Sequence, residues 1–112
     1  LKGAVDKGSY KLINERISLE DAAAIKNLCF DLKKEPGLVA LLAVLTNGKP
    51  GLHLVISQDL VDSKGWKAGD FIRPLAANIK GGGGGQPTYA SAGGTDNNGI
   101  ESAINQLETL LL

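Results

Sequence analysis

Methionine is absent, and cysteine, histidine and tryptophan occur once each, at Cys29, His53 and Trp66. A single cysteine excludes an internal disulfide, and a single histidine beside it leaves too few ligands for a Cys/His zinc site made by the chain alone. This usage is that of a cytosolic protein. A chain that starts at Leu1 and has no methionine is expected to be a fragment or a processed product. An excess of one charge is also missing: 12 Lys and Arg balance 12 Asp and Glu, so a strongly basic binder is excluded and any attraction to a polyanion must come from a local patch. The longest apolar run, residues 38–45, is less than half of what a membrane-crossing helix needs, and nothing at the start resembles a cleavable signal. What is present, 112 residues that are 43% hydrophobic and 21% charged, suits one globular domain. A chain of this size buries roughly 60–70% of its unfolded surface, enough for one core without staples.

Residues 1–9 offer only Ala4 and Val5 for burial among charges and glycines, and are expected to be a loose leader ahead of a domain spanning residues 10–112. Residues 10–17 alternate imperfectly and predict a half-exposed strand. Ser18 with Glu20 and Asp21 supplies helix-capping chemistry, and Ala22, Ile25, Leu28, Cys29 and Leu32 form the buried stripe of the helix that follows, ended by Pro36 and Gly37. Residues 38–46 read as a central strand covered on both faces. Asn47, Gly48, Lys49, Pro50 and Gly51 read as a turn, and residues 52–57 as the antiparallel partner. Ile72, Leu75, Ala76 and Ile79 share one face of a second helix, flanked by Phe71. Pro74 within it is reconciled either by a start capped at Asp70 or by a bend. A short strand within residues 87–92 and a final helix from about Asn98, with Ile100, Ala103, Ile104, Leu107 and Leu111 on its buried face, complete the chain. The fold class is α/β, a two-layer sandwich with a mixed or antiparallel central sheet and helices packed on it.

The sharpest local feature is the run Gly81, Gly82, Gly83, Gly84, Gly85, followed by Gln86, Pro87 and later the pair Gly93 and Gly94. By composition alone this is as readily a flexible linker. Both ends are tethered inside one domain, however, which favours a tight loop whose amides point into a common hollow and let a phosphate approach. No Lys followed by Ser or Thr closes the run and no strand precedes it, so neither a Walker loop nor a dinucleotide fingerprint is present. Beside it, Lys64, Lys67, Arg73 and Lys80 stand against Asp70 alone, a net charge of +3, and no acid occurs in residues 71–95. With Trp66 and Tyr89 near in sequence, this stretch has the composition of a surface that holds a phosphate backbone and stacks a base. The plain alternative is a solvated helix face and a core tryptophan. His53 lacks a partner nucleophile and is assigned no catalytic task; Cys29 on the buried stripe reads as a small hydrophobe. No catalytic residue and no metal site emerge.

The stretch KGWKAGDFI (residues 64–72), the apolar helix after it, GGGGGQP (81–87), ASAGG (90–94) and the amphipathic terminal helix resemble the DHHA1 domain, particularly the version at the C-terminus of alanyl-tRNA synthetases. Gln86 stands where the family commonly has arginine and Ser91 where it commonly has glutamine, so a charge-assisted phosphate contact from the loop itself is not implied. The resemblance implies a parent that joins alanine to tRNA(Ala) with ATP, with ATP and zinc serving other domains, and with none of them in this fragment. It implies for this domain tRNA contact and coordination of the aminoacylation and editing centres, through Lys64, Trp66, Lys67, Arg73, Lys80, Gly81–Gly85, Gln86, Gly93 and Gly94. Other expected partners are the remaining domains of the parent and, in relatives, a second copy; no membrane is expected. Two alternatives are a substrate-binding domain of a DHH phosphoesterase and an oligomerisation module whose glycines merely permit close packing.

Overall fold

In the computed structural model, which describes residues 5–6, 8, 10–17, 22–32, 34–46 and 49–110, the alternating strands form one sheet. The chain runs β1 (Val5–Asp6), β2 (Lys11–Ile17), α1 (Ala22–Leu32), β3 (Leu38–Thr46), β4 (Lys49–Ile56), α2 (Gln58–Lys64), α3 (Ala68–Asn78), β5 (Gly82–Gly85), β6 (Tyr89–Gly93) and, after a 3-10 turn at Asn97–Gly99, α4 (Ile100–Leu110). The six strands lie in the order β1-β2-β3-β4-β6-β5. β2 and β3 pair in parallel and the other neighbours antiparallel, so the sheet is mixed.

β3 sits in the middle because its side chains are apolar on both sides of the pleat. Val39, Leu41 and Ala43 enter the larger core, and Ala40, Leu42 and Val44 enter the smaller one. The larger core joins Leu52, Leu54 and Ile56 of β4 to Ile72 and Leu75 of α3 and to Ile100, Ala103 and Leu107 of α4. On the opposite face Cys29 and Leu32 of α1 cover Ile13, Leu42 and Val55. The sheet with helices packed on it is the expected architecture, and α1 adds a further layer on the second face.

Several local expectations need adjustment. Lys49, Pro50 and Gly51 belong to β4 and not to the turn, pairing with Thr46, Leu45 and Val44. Asn47, Gly48, the proposed cap from Ser18 to Asp21, and Leu111 lie outside the described residues. The leading segment contributes β1 through pairing of Val5 with Leu12 and Asp6 with Lys11. Helix α2 has no counterpart in the sequence reading. Its first turn is tied to the start of β3: the Asp59 carboxylate accepts the Gly37 amide at 3.0 and 3.1 Å, and the Leu38 amide donates to the Ser57 hydroxyl oxygen at 3.2 Å. Hydrogen bonds to the Asp59 carboxylate, from the Ser57 hydroxyl first and the Gly37 amide second, hold it below its usual range.

Helix α3 starts at Ala68, after Lys67 in an extended conformation, so Asp70 is inside the first turn and is not the cap. Pro74 therefore lies inside the helix and donates no bond to the carbonyl four residues back, a loss of roughly 3 kcal/mol in an isolated helix. Complete burial of Ile72, Leu75 and Ala76 opposes that loss. The helix ends in a Schellman closure: the Gly81 amide donates to the Ala76 carbonyl and the Lys80 amide to the Ala77 carbonyl. This puts Lys80 at the left-handed position, with φ of 54°.

Candidate nucleic-acid interface

The glycine run is neither a linker nor a concave loop. Gly82–Gly85 forms the edge strand β5, with Gly83 opposite Ala92 and Gly85 opposite Ala90 on β6. Along a strand, successive amides point to opposite edges, so the hollow of convergent amides expected from the sequence does not form. At the ends of the run the amides are consumed internally: Gly81 donates to Ala76, and Gln86 to Tyr89 at 2.8 Å.

The need for glycine is steric. A Cβ at Gly81, Gly83 or Gly85 would stand 1.9, 2.2 and 2.5 Å from the carbonyl oxygens of Gly93, Ser91 and Tyr89, whereas a Cβ at Gly82 or Gly84 would meet open space. The same close approach surrounds α3. A Cβ at Gly69 would lie 3.0 Å from the Gly85 oxygen, at Gly94 2.2 Å from the Ile79 oxygen, and at Gly99 1.6 Å from the Asn78 oxygen. These glycines let strand, helix and turn backbones touch within one chain.

The cations named from the sequence are all exposed, and Lys67, Arg73 and Lys80 are strung along α3. Lys67 precedes the first residue of the helix, Arg73 is near its middle, and Lys80 follows its last turn. A helix of this length separates its ends by roughly 15–20 Å. Lys64 closes α2, and its Nζ sits 5.2 Å from the centre of the Trp66 ring. Trp66 itself is half-buried and belongs to an aromatic pile. Tyr10 meets it edge-on at 5.1 Å between ring centres and Phe71 at 6.2 Å, all packed against the larger core. Tyr89 packs against the smaller core on the other face of the sheet. The two aromatics expected to serve one stacking surface are thus separated by the sheet.

At the C-terminal end of α3, the start of β4 and the end of β6 enclose an open groove of about 430 Å³, lined among others by Lys49, Gly51, His53, Lys80, Gly94 and Thr95. Lys80, Gly93 and Gly94 were expected at an interface; Lys49, His53 and Thr95 were not. They meet because Gly51 pairs with Gly93 and His53 with Ser91 across β4 and β6. His53 Nδ1 lies 2.9 Å from the Tyr89 hydroxyl, and burial pushes the imidazole below its ordinary value, favouring the neutral ring. Burial likewise pushes the Cys29 thiol up to about 11, so it behaves as the expected small hydrophobe.

Among the described residues no group of three or more His, Cys, Asp or Glu side chains converges as metal ligands. No described helix is long and apolar enough to cross a membrane.

Comparison with known proteins gives a consistent result. The DHHA1 domain family matches residues 9–111. An alanine–tRNA ligase of Cytophaga hutchinsonii is 40% identical over 113 residues, covering 99% of this chain and 13% of that protein. One of Bacteroides thetaiotaomicron is 41% identical over 88 residues, covering 77% of this chain and 10% of its own length. This chain therefore spans about an eighth or less of these relatives. The C-Ala domain from Aquifex aeolicus alanyl-tRNA synthetase has a similar fold, with a TM-score of 0.84 at 22% identity and coverage of 96% of both chains.

Proposed function

The chain belongs to the DHHA1 family, in the form carried by alanyl-tRNA synthetases, and from that premise we propose that it serves a parent ligase as a tRNA-contacting domain with no catalytic step of its own. The observation that carries this reading is the row of exposed cations, Lys64 at the end of α2 and Lys67, Arg73 and Lys80 along α3, with Asp70 as the only acid among residues 64–80. A line of separated positive charges suits a phosphate backbone, since each neutralised phosphate releases condensed counterions. The contact is electrostatic: Trp66 is committed to the aromatic pile, and Gly81, Gly83, Gly85 and Gly94 to backbone packing. In this reading, joining alanine to tRNA(Ala) with ATP, editing, and any zinc belong to other domains of a cytoplasmic parent, which are this domain's other partners.

Titration of the 112-residue chain with a tRNA(Ala) transcript tests the proposal. Binding is expected at low salt, with log affinity falling linearly against log salt at roughly 0.7–0.9 per phosphate neutralised. Reversal of Lys67 and Arg73 to glutamate is expected to weaken binding and flatten that slope. Absence of binding at low salt, or indifference to both reversals, contradicts the proposal.

A further inference from the structure

Resting on the reading that this domain contacts RNA, we infer that the groove between Lys49 and Lys80 is a phosphate site that grips one phosphodiester group of the bound chain, with the Thr95 hydroxyl and the His53 imidazole as neutral donors. Lys80 carries the inference. It occupies the left-handed position of the Schellman closure, which glycine fills most easily, and is the only non-glycine residue with positive φ among the described residues. Five glycines follow immediately, yet none of them adopts positive φ. A lysine kept at a strained turn beside glycines that do not use their conformational freedom points to a purpose for its charge.

The surroundings agree. Lys49 lines the same groove as Lys80, and among the described residues no acidic side chain lines it. Asp96, the nearest acid in sequence, turns its carboxylate to the Asn98 amide at 3.0 Å. The local amides are already engaged, Gly94 with the Pro50 carbonyl at 3.0 Å and Thr95 with the Ile79 carbonyl at 2.8 Å. An anion here is therefore held by side chains and not by a backbone nest, which makes the contact strongly dependent on salt. His53 lines the groove with its Nδ1 2.9 Å from the Tyr89 hydroxyl, and when Nδ1 accepts the phenol proton the neutral ring carries its own N–H on the second nitrogen, the donor the proposal uses.

Lys80→Gly and Lys49→Gln test this in the 112-residue chain, with tRNA(Ala) transcript and inorganic phosphate as separate probes. Each substitution is expected to weaken tRNA binding about tenfold at low salt and to lower the salt slope by about one phosphate. Lys80→Gly should do so while raising the thermal midpoint, an outcome that a merely structural role for Lys80 would not give. If both variants bind tRNA as the unaltered chain does, while Lys67→Glu and Arg73→Glu weaken it, the groove assignment is overturned and the domain's RNA contact stands. If the unaltered chain binds no tRNA, both fall. Inorganic phosphate, followed by amide NMR at Gly94 and Thr95, separates the two sources of the ligand. Weak shifts that vanish in either lysine variant, with phosphate competing against tRNA, support the assignment. Tight saturation by phosphate without loss of tRNA affinity would make this a free-phosphate site and overturn it.

Discussion

At its N-terminal end α3 is held by large side chains, the pile of Tyr10, Trp66 and Phe71, with one looser backbone approach at Gly69, whereas at its C-terminal end backbones touch closely because Gly94 and Gly99 carry no Cβ. Cations decorate both ends. Near the first, Lys64 lies over an indole ring and shares in the packing; near the second, Lys80 sits at a strained turn and faces a groove. The difference teaches that similar charges in one short stretch of sequence do different work. Side-chain packing tolerates adjustment, while backbone contact leaves no space to adjust.

That contrast can be broken hardest at the glycine end. Gly99→Ala would place a methyl 1.6 Å from the Asn78 carbonyl oxygen, and a loss of about 3 kcal/mol or more is expected in urea denaturation. At the aromatic end, Trp66→Ala is expected to cost about 2 kcal/mol in the same measurement, below the loss for a fully buried indole because Trp66 is only half-buried. A ranking reversed between these two variants would undo the comparison.

Smaller effects sharpen it. Lys80→Gly relieves the left-handed strain but frees the unfolded chain, so a gain of about 1 kcal/mol or less is expected, read as a raised thermal midpoint. His53 adds a pH dependence to the groove end. Its imidazole is depressed by burial, so below about 6.5 the unfolded chain binds a proton that the folded one resists. Stability is therefore fully present above that pH and declines as pH falls toward the folded value; His53→Gln should flatten this part of the profile of midpoint against pH.

Much of the architecture was legible because burial imposes a period. Apolar residues throughout 38–45 announced a strand covered on both faces, and Ile72, Leu75, Ala76 and Ile79 announced α3 despite Pro74, since the buried face outweighs one lost hydrogen bond. Helix α2 was not legible: seven residues with only Leu60 and Val61 apolar show no period. The glycine run misled for a physical reason, since glycine restricts the backbone so little that a run of it fits a nest, a linker or a strand. A usable signal lay in its partner, where small Ala90 and Ala92 alternate along β6 opposite Gly85 and Gly83. Of the proposed interface, the cations of residues 64–80 are visible as a run in sequence. The groove is not, because Lys49 and Lys80 are brought together only by the pairing of β4 with β6 and by the closure of α3.

In the proposed function this surface holds RNA by charge, with Gly81, Gly83, Gly85 and Gly94 serving the fold. The salt dependence of tRNA(Ala) binding, compared between Gly84→Ala, where a Cβ meets open space, and the double reversal Lys67→Glu with Arg73→Glu, tests it most directly. Gly84→Ala is expected to keep the affinity and slope of the unaltered chain, and the double reversal to lose both. Weakened binding by Gly84→Ala, together with undiminished binding by the double reversal, would contradict it.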